Sequence, residues 1–191
     1  MHANDEPTND WAEGILGRTP IATPTGWRDT DSLRVGDEVL GFDSGRAVIS
    51  RCDALGPCRA GPAHWPMLIP KGVLDNRAAL RLMPEQKLLL ECDAAEARWG
   101  EPFVLIPAAA LEGYRCVTRV RPDPTEAVVR LGFAGDEIVY ASRGVLILCP
   151  QVDLIDRGRE VGYPAPDMET ARALVAEVAR TGGFAALPIP E

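Results

Sequence analysis

The chain has 191 residues, 46% of them hydrophobic and 25% charged, which is enough apolar material for one domain with its own core. A formal net charge of −8 argues against a nucleic-acid or anionic-membrane partner, because both require a basic face. No apolar run reaches the ~18 residues of a membrane-crossing helix, so no membrane span is expected.

The 18 glycines and 17 prolines favour many turns between short elements. Met1 to Pro7 lacks the basic and apolar regions of a signal peptide, so a cytoplasmic location is expected, with non-classical secretion left open. Residues 1–13, polar and acidic around Trp11, read as a flexible leader. Cys52, Cys58, Cys92, Cys116 and Cys149 form no even framework and no C-x-x-C pair. They read as small buried hydrophobes in a reducing compartment, with an approach of Cys52 and Cys58 across a turn as the alternative. Neither a metal nor a cofactor is expected.

In chain order, a first strand is expected near Arg18 to Thr23, then a turn at Pro24-Thr25-Gly26, where Pro presets φ and Gly tolerates positive φ. Leu33 to Phe42 reads as a half-buried strand, turning at Asp43 to Arg46 into Ala47 to Ser50. Residues 53–66 read as loop, broken by Gly56-Pro57, Gly61-Pro62 and Trp65-Pro66. Met67 to Pro70, Ala79 to Met83, Lys87 to Cys92 and Pro102 to Pro107 are strand candidates, with a single helical turn at Ala94 to Arg98. Ala108 to Leu111 is a short helix-prone piece, and Tyr114 to Val120 a further strand. Ala127 to Leu131 and Glu137 to Ala141 read as a hairpin around Gly132 to Asp136, followed by Val145 to Leu148. Strands at this spacing, without long helices between them, predict an all-β fold.

One helix is expected near the end, about 167–181. Asp167 caps it, Met168, Ala171, Leu174, Val175 and Val178 share one face, and Gly182-Gly183 ends it. The apolar face predicts docking on the β body. Pro188 to Glu191 reads as a tail. The expected organisation is a leader at 1–13, a β domain at 14–150 and an extension carrying the helix at 151–191.

Arg18-Thr19-Pro20-Ile21-Ala22-Thr23-Pro24-Thr25-Gly26, with Leu33 to Asp43, resembles the opening of a Hint domain, the Hedgehog/intein autoprocessing fold, in its bacterial stand-alone form. Met83-Pro84-Glu85-Gln86 and the strand after it resemble the family's Ser/Thr-Pro-x-His segment. Phe103 to Leu111 resembles its apolar strand and Ala-Leu turn, and Glu126 to Gly144 its closing hairpin. The resemblance spans roughly 14 to 150 and implies a compact fold of many short antiparallel strands.

The resemblance also implies a chemistry. A Cys at the head of the domain attacks the carbonyl before it, forming a thioester, while a His supplies a proton or hydrogen bond to the leaving nitrogen. Here the Cys position falls on Gly14, which has no side chain, and the His position on Gln86, which cannot donate a proton. Met83 replaces a hydroxyl residue, and Ala134-Gly135-Asp136-Glu137 lacks a His before the acid, so Asp136 marks another changed position. The terminal Asn of an intein is absent around Cys149-Pro150-Gln151.

If activity persisted, Thr19, Cys52, Cys58 and His64 are the remaining candidates, set against their readings as a strand hydroxyl, buried thiols and a surface-loop imidazole. Arg77, Arg81 and Lys87 read as outward-facing strand positions, or as cations of a peptide or carboxylate site around Gln86. Two functional expectations result: an inactive module acting by binding a protein or peptide or as a structural part, or a self-cleaving domain with a non-standard nucleophile.

Overall fold

The structure, a computed structural model, describes residues 12–151, 162–187 and 190. Most of the leader, including Trp11 and His2, and the tail at 188–191 except Pro190 lie outside the described residues.

Fourteen short strands among the described residues pair antiparallel into two sheets. The first sheet is built from β1 (Ile15–Leu16), β6 (Arg51–Pro57), β7 (Met67–Ile69), β8 (Leu80–Leu82), β11 (Thr118–Arg119) and β12 (Ala127–Gly132), in the order β11-β7-β8-β1-β12-β6. The second contains β2 (Pro20–Thr23), β3 (Gly26–Asp29), β9 (Lys87–Glu91), β10 (Phe103–Pro107), β13 (Glu137–Ala141) and β14 (Val145–Cys149), in the order β10-β9-β14-β13-β2-β3. A hairpin of β4 (Glu38–Gly41) and β5 (Gly45–Val48) joins it through β13. All five residues of β14, Val-Leu-Ile-Leu-Cys, are buried, as expected of a strand covered on both faces.

The β architecture agrees with expectation, but several local readings change. The hairpin expected between 127–131 and 137–141 does not form: β12 pairs with β1 and β6, whereas β13 pairs with β14, β2 and β4. The chain crosses between sheets at 133–136. The true hairpin is β13–β14, closed by Ser142, Arg143 and Gly144, all at positive φ, with Ala141 opposite Val145. Such a turn matches the twist of the paired strands.

Part of the segment expected as loop is the seven-residue β6, because β12 supplies the ladder partners that Gly56-Pro57 does not advertise. Tyr114 to Val120 is largely not strand: Tyr114–Cys116 is a 3-10 turn with Arg115 and Cys116 in the left-handed region, leaving only Thr118–Arg119 as strand. The turn also leaves Cys116 exposed, unlike the buried thiol expected; all five cysteines are free. Ala94 to Arg98 extends to a seven-residue helix, α1 (Asp93–Trp99), ended by Gly100 at φ 72°.

The C-terminal helix α2 (Met168–Thr181) starts where the Thr170 N–H donates to Oδ1 of Asp167 at 2.8 Å. Ala171, Leu174, Val175 and Val178 are buried in the main core with Leu111, Ile106 and Ala95. Arg98 and Glu177 pair across α1 and α2 at 2.5 Å. Beyond α2, the Ala185 N–H donates to the Glu91 carbonyl at 2.9 Å, and Leu187 is buried against Leu89, Leu105 and Leu146. Among the described residues, no helix is long and apolar enough to cross a membrane.

Candidate functional site

β1 is the pivot of the site. It lies between β8 and β12, with Ile15 opposite Leu82 on one side and Val129 on the other. The segment entering it continues the pairing: the Met83 N–H donates to the Gly14 carbonyl at 3.3 Å, and the Glu85 N–H to the Ala12 carbonyl at 2.9 Å. This lays residues 12–14 alongside 83–85 and brings Gly14 and Gln86 to the wall of one cavity of about 360 Å³. Glu13, Arg130, Cys149 and Gln151 also line it.

Gly14 has φ +144°, a conformation that L side chains rarely adopt. A β-carbon here would overlap Cγ1 of Val128, a fully buried, β-branched side chain with little freedom to turn away. The carbonyl immediately upstream, that of Glu13, accepts a hydrogen bond from Nε of Arg130 at 3.4 Å.

Gln86 is 4% exposed and already occupied. Its Nε2 donates to the Leu148 carbonyl at 2.6 Å and to the Lys87 carbonyl at 3.4 Å. Its backbone carbonyl accepts from the Ala108 N–H at 2.9 Å. The side chain therefore ties the turn before β9 to the end of β14. Met83 is fully buried and packs with Leu16, Cys58 and Val128, making an apolar plug behind β1. Asp136 accepts the Gln151 N–H at 2.8 Å and holds the chain just past β14.

Two titratable groups face the cavity. Burial, the largest influence, pushes the Glu13 carboxyl above the usual glutamate range; Lys87 opposes this, Glu85 adds to it and Arg130 opposes it. Burial also pushes the Cys149 thiol far up, with Glu137 and Glu13 adding to the effect. A thiol held protonated is a poor nucleophile. Neither Glu13 nor Arg130 is signalled by sequence alone, since each joins the site only through the pairing of β1 with β12; Arg130 does interrupt an otherwise apolar run, Val128 to Leu131.

The four remaining candidates lie elsewhere. Thr19 is buried in the turn between β1 and β2, where its carbonyl accepts from both the N–H and hydroxyl of Thr30. Cys52 lies on β6, its thiol directed at the Leu33 carbonyl at 3.5 Å, and burial raises its pKa. Cys58 is in the plug behind β1. His64 is exposed on a 3-10 turn, Pro62–His64. None of the four lines the Gly14–Gln86 cavity. Arg81 pairs with the buried Glu126 at 2.5 Å rather than facing Gln86. Among the described residues, no cluster of His, Cys, Asp or Glu could hold a metal ion.

A family model described as "Hint domain" matches residues 15–146. Similar solved structures include the Msm DnaB1 intein splicing domain bound with zinc, at 20% identity, covering 67% of this chain and 93% of that one with a TM-score of 0.40. The MchDnaB-1 intein is 20% identical, with coverages of 70% and 98% and a TM-score of 0.42. A splice-inactive variant of the AceL NrdHF class 3 split intein is 12% identical, with coverages of 74% and 99% and a TM-score of 0.45. A comparison with curated proteins finds no match.

Proposed function

The chain belongs to the Hint domain family, and from that premise we propose that it is a Hint module without self-cleavage chemistry, acting through binding of a protein or peptide or as a structural part of an assembly. The module comprises residues 14–150, and the extension at 151–191 packs its helix onto it.

The observation that carries this reading is that Gly14 and Gln86 line one cavity and neither can do what an acyl shift requires. Thioester formation needs a thiol next to its upstream carbonyl and a proton donor at the nitrogen that leaves. At Gly14 there is no side chain, and the space a β-carbon would occupy is taken by Val128. At Gln86 there is an amide whose donors already serve two carbonyls. Arg130 touches the Glu13 carbonyl, so an electrophile-facing contact exists, but Gly14, the residue next to that carbonyl, has no side chain to attack it. The alternative, cleavage by a non-standard nucleophile, lacks support from the positions of Thr19, Cys52, Cys58 and His64 outside the cavity. Cys149 is inside it, but its thiol is buried and held neutral.

The test is a reporter fused upstream of Gly14, followed by intact mass over days with and without added thiol. An unbroken fusion is expected in both conditions. A thiol-dependent break between Glu13 and Gly14 would overturn the reading.

A further inference from the structure

A second cleft lies where two loops leave the first sheet, and it shares no residue with the Gly14–Gln86 cavity. It encloses about 560 Å³ and is lined by Arg59, Arg121 and Trp65, with Pro62, Pro122 and Pro124 as walls. This volume lies within the ~300–1,000 Å³ usual for small-molecule sites.

Both walls are held by the sheet. The Val120 N–H donates to the Pro66 carbonyl at 2.9 Å, and Nη1 of Arg119 donates to the Ala63 carbonyl at 2.5 Å. On the other side, Pro57 pairs with Ala127 across β6 and β12. The proline-rich walls restrict backbone motion further.

The charge in this cleft runs against that of the whole chain. Among the described residues, seven arginines form ion pairs with carboxylates at 4.0 Å or less, Arg18, Arg81 and Arg119 among them. Arg59 and Arg121, like Arg34, Arg77 and Arg143, form no ion pair with a carboxylate among the described residues, although the net charge is −8. The acids nearest to them in sequence are engaged: on the Arg59 side Asp53 pairs with Arg51 at 2.6 Å. Asp123 faces Arg18 at 3.7 Å and accepts from the Thr125 N–H and hydroxyl at 2.8 and 2.6 Å, and Glu126 is buried against Arg81. Two exposed arginines without a carboxylate partner therefore line the same cleft as a half-buried indole. Guanidiniums present planar forks that suit carboxylate and phosphate oxygens, and the indole and proline faces suit a flat apolar body.

We propose that this cleft is a binding site for a small planar anion, an aromatic carboxylate or an aromatic phosphate ester, with Arg59 and Arg121 on the anionic group and Trp65 against the ring. The site is independent of whether the Gly14–Gln86 cavity has lost its chemistry.

Calorimetric titration of the full chain with naphthoate, naphthyl phosphate and neutral naphthol tests it. At least one anion is expected to bind with Kd below about 1 mM, with naphthol about tenfold weaker or more; whichever anion binds tighter identifies the group. Affinity for the anion should fall as salt rises. The Arg59→Gln/Arg121→Gln variant should weaken the anion about tenfold or more and leave naphthol unchanged, whereas Trp65→Leu should weaken both. Chemical-shift change at the Trp65 indole N–H locates the ligand. Absence of heat and shift up to about 5 mM, equal affinity for anion and naphthol, inorganic phosphate binding as tightly as its naphthyl ester, or an arginine double variant with an unchanged melting curve that binds like the parent would each overturn the assignment.

Discussion

Gly14 and Val128 are packed so that any β-carbon at position 14 would overlap Cγ1 of Val128. The two residues are far apart in the chain and are brought together by the pairing of Leu16 with Val128 across β1 and β12. Position 14, the seat proposed above for a nucleophile, therefore carries no side chain and has no room for one. Placing a thiol there by a single substitution meets both an unfavourable φ and an occupied volume.

Gly14→Cys should destabilise the protein by about 2–4 kcal/mol and leave an upstream fusion uncleaved. Combining it with Val128→Ala relieves the overlap but not the φ. In urea melts of the two single variants and the double, the double is expected to lose less than the sum of the singles, by about 1 kcal/mol or more. Strict additivity would mean that Val128 does not close the site.

Gln86 acts as a cross-link, so its substitution should be read in stability. Gln86→Ala removes a buried donor from the Leu148 carbonyl and should cost about 1–3 kcal/mol. Gln86→Glu should cost more at neutral pH, because an ionised carboxylate faces that carbonyl without a proton to donate. It should recover part of the loss in acid, where the carboxyl carries a proton. Chemical denaturation at two pH values checks the crossover.

Glu13 gives a pH signature of known sign. Its carboxyl has a raised pKa in the folded chain, so the folded state favours the protonated form and is penalised once the group ionises. The penalty is absent below the unfolded glutamate pKa and grows as pH rises through the raised, folded value. Glu13→Gln should therefore melt above the parent at pH 7, and the gap should close below about pH 4. A gap that widens in acid would contradict the burial of this carboxyl.

The terminal helix belongs to the main core. Leu174 is fully buried there, so Leu174→Ala should cost about 2–5 kcal/mol in a single cooperative transition. Asp167→Ala removes the cap on the Thr170 N–H and should cost about 1 kcal/mol. A biphasic melt, with the β body unaffected by Leu174→Ala, would show the helix to be an appendage.

Much of the fold was readable locally. The caps and apolar face of α2 are periodic features of adjacent residues, so the helix and its docking face follow from the sequence. The strands from Met67 to Pro107 are bounded by Pro and Gly and lie close to their expected limits. What failed was pairing. The runs at 127–131 and 137–141 look like a hairpin, yet they lie in different sheets, because the closing turn is the left-handed Ser142-Arg143-Gly144. Nothing in the residue types Ser and Arg announces positive φ.

The sequence by itself determined what two positions cannot supply: a residue without a side chain at 14 offers no thiol, and an amide at 86 offers no proton, whatever the fold. Only the tertiary structure decided what stands in their place. Val128, Leu148 and Arg130 reach Gly14, Gln86 and Glu13 through strand pairings that span most of the chain. Those contacts depend on register, and register is set by the packing of whole sheets rather than by any local run of residues.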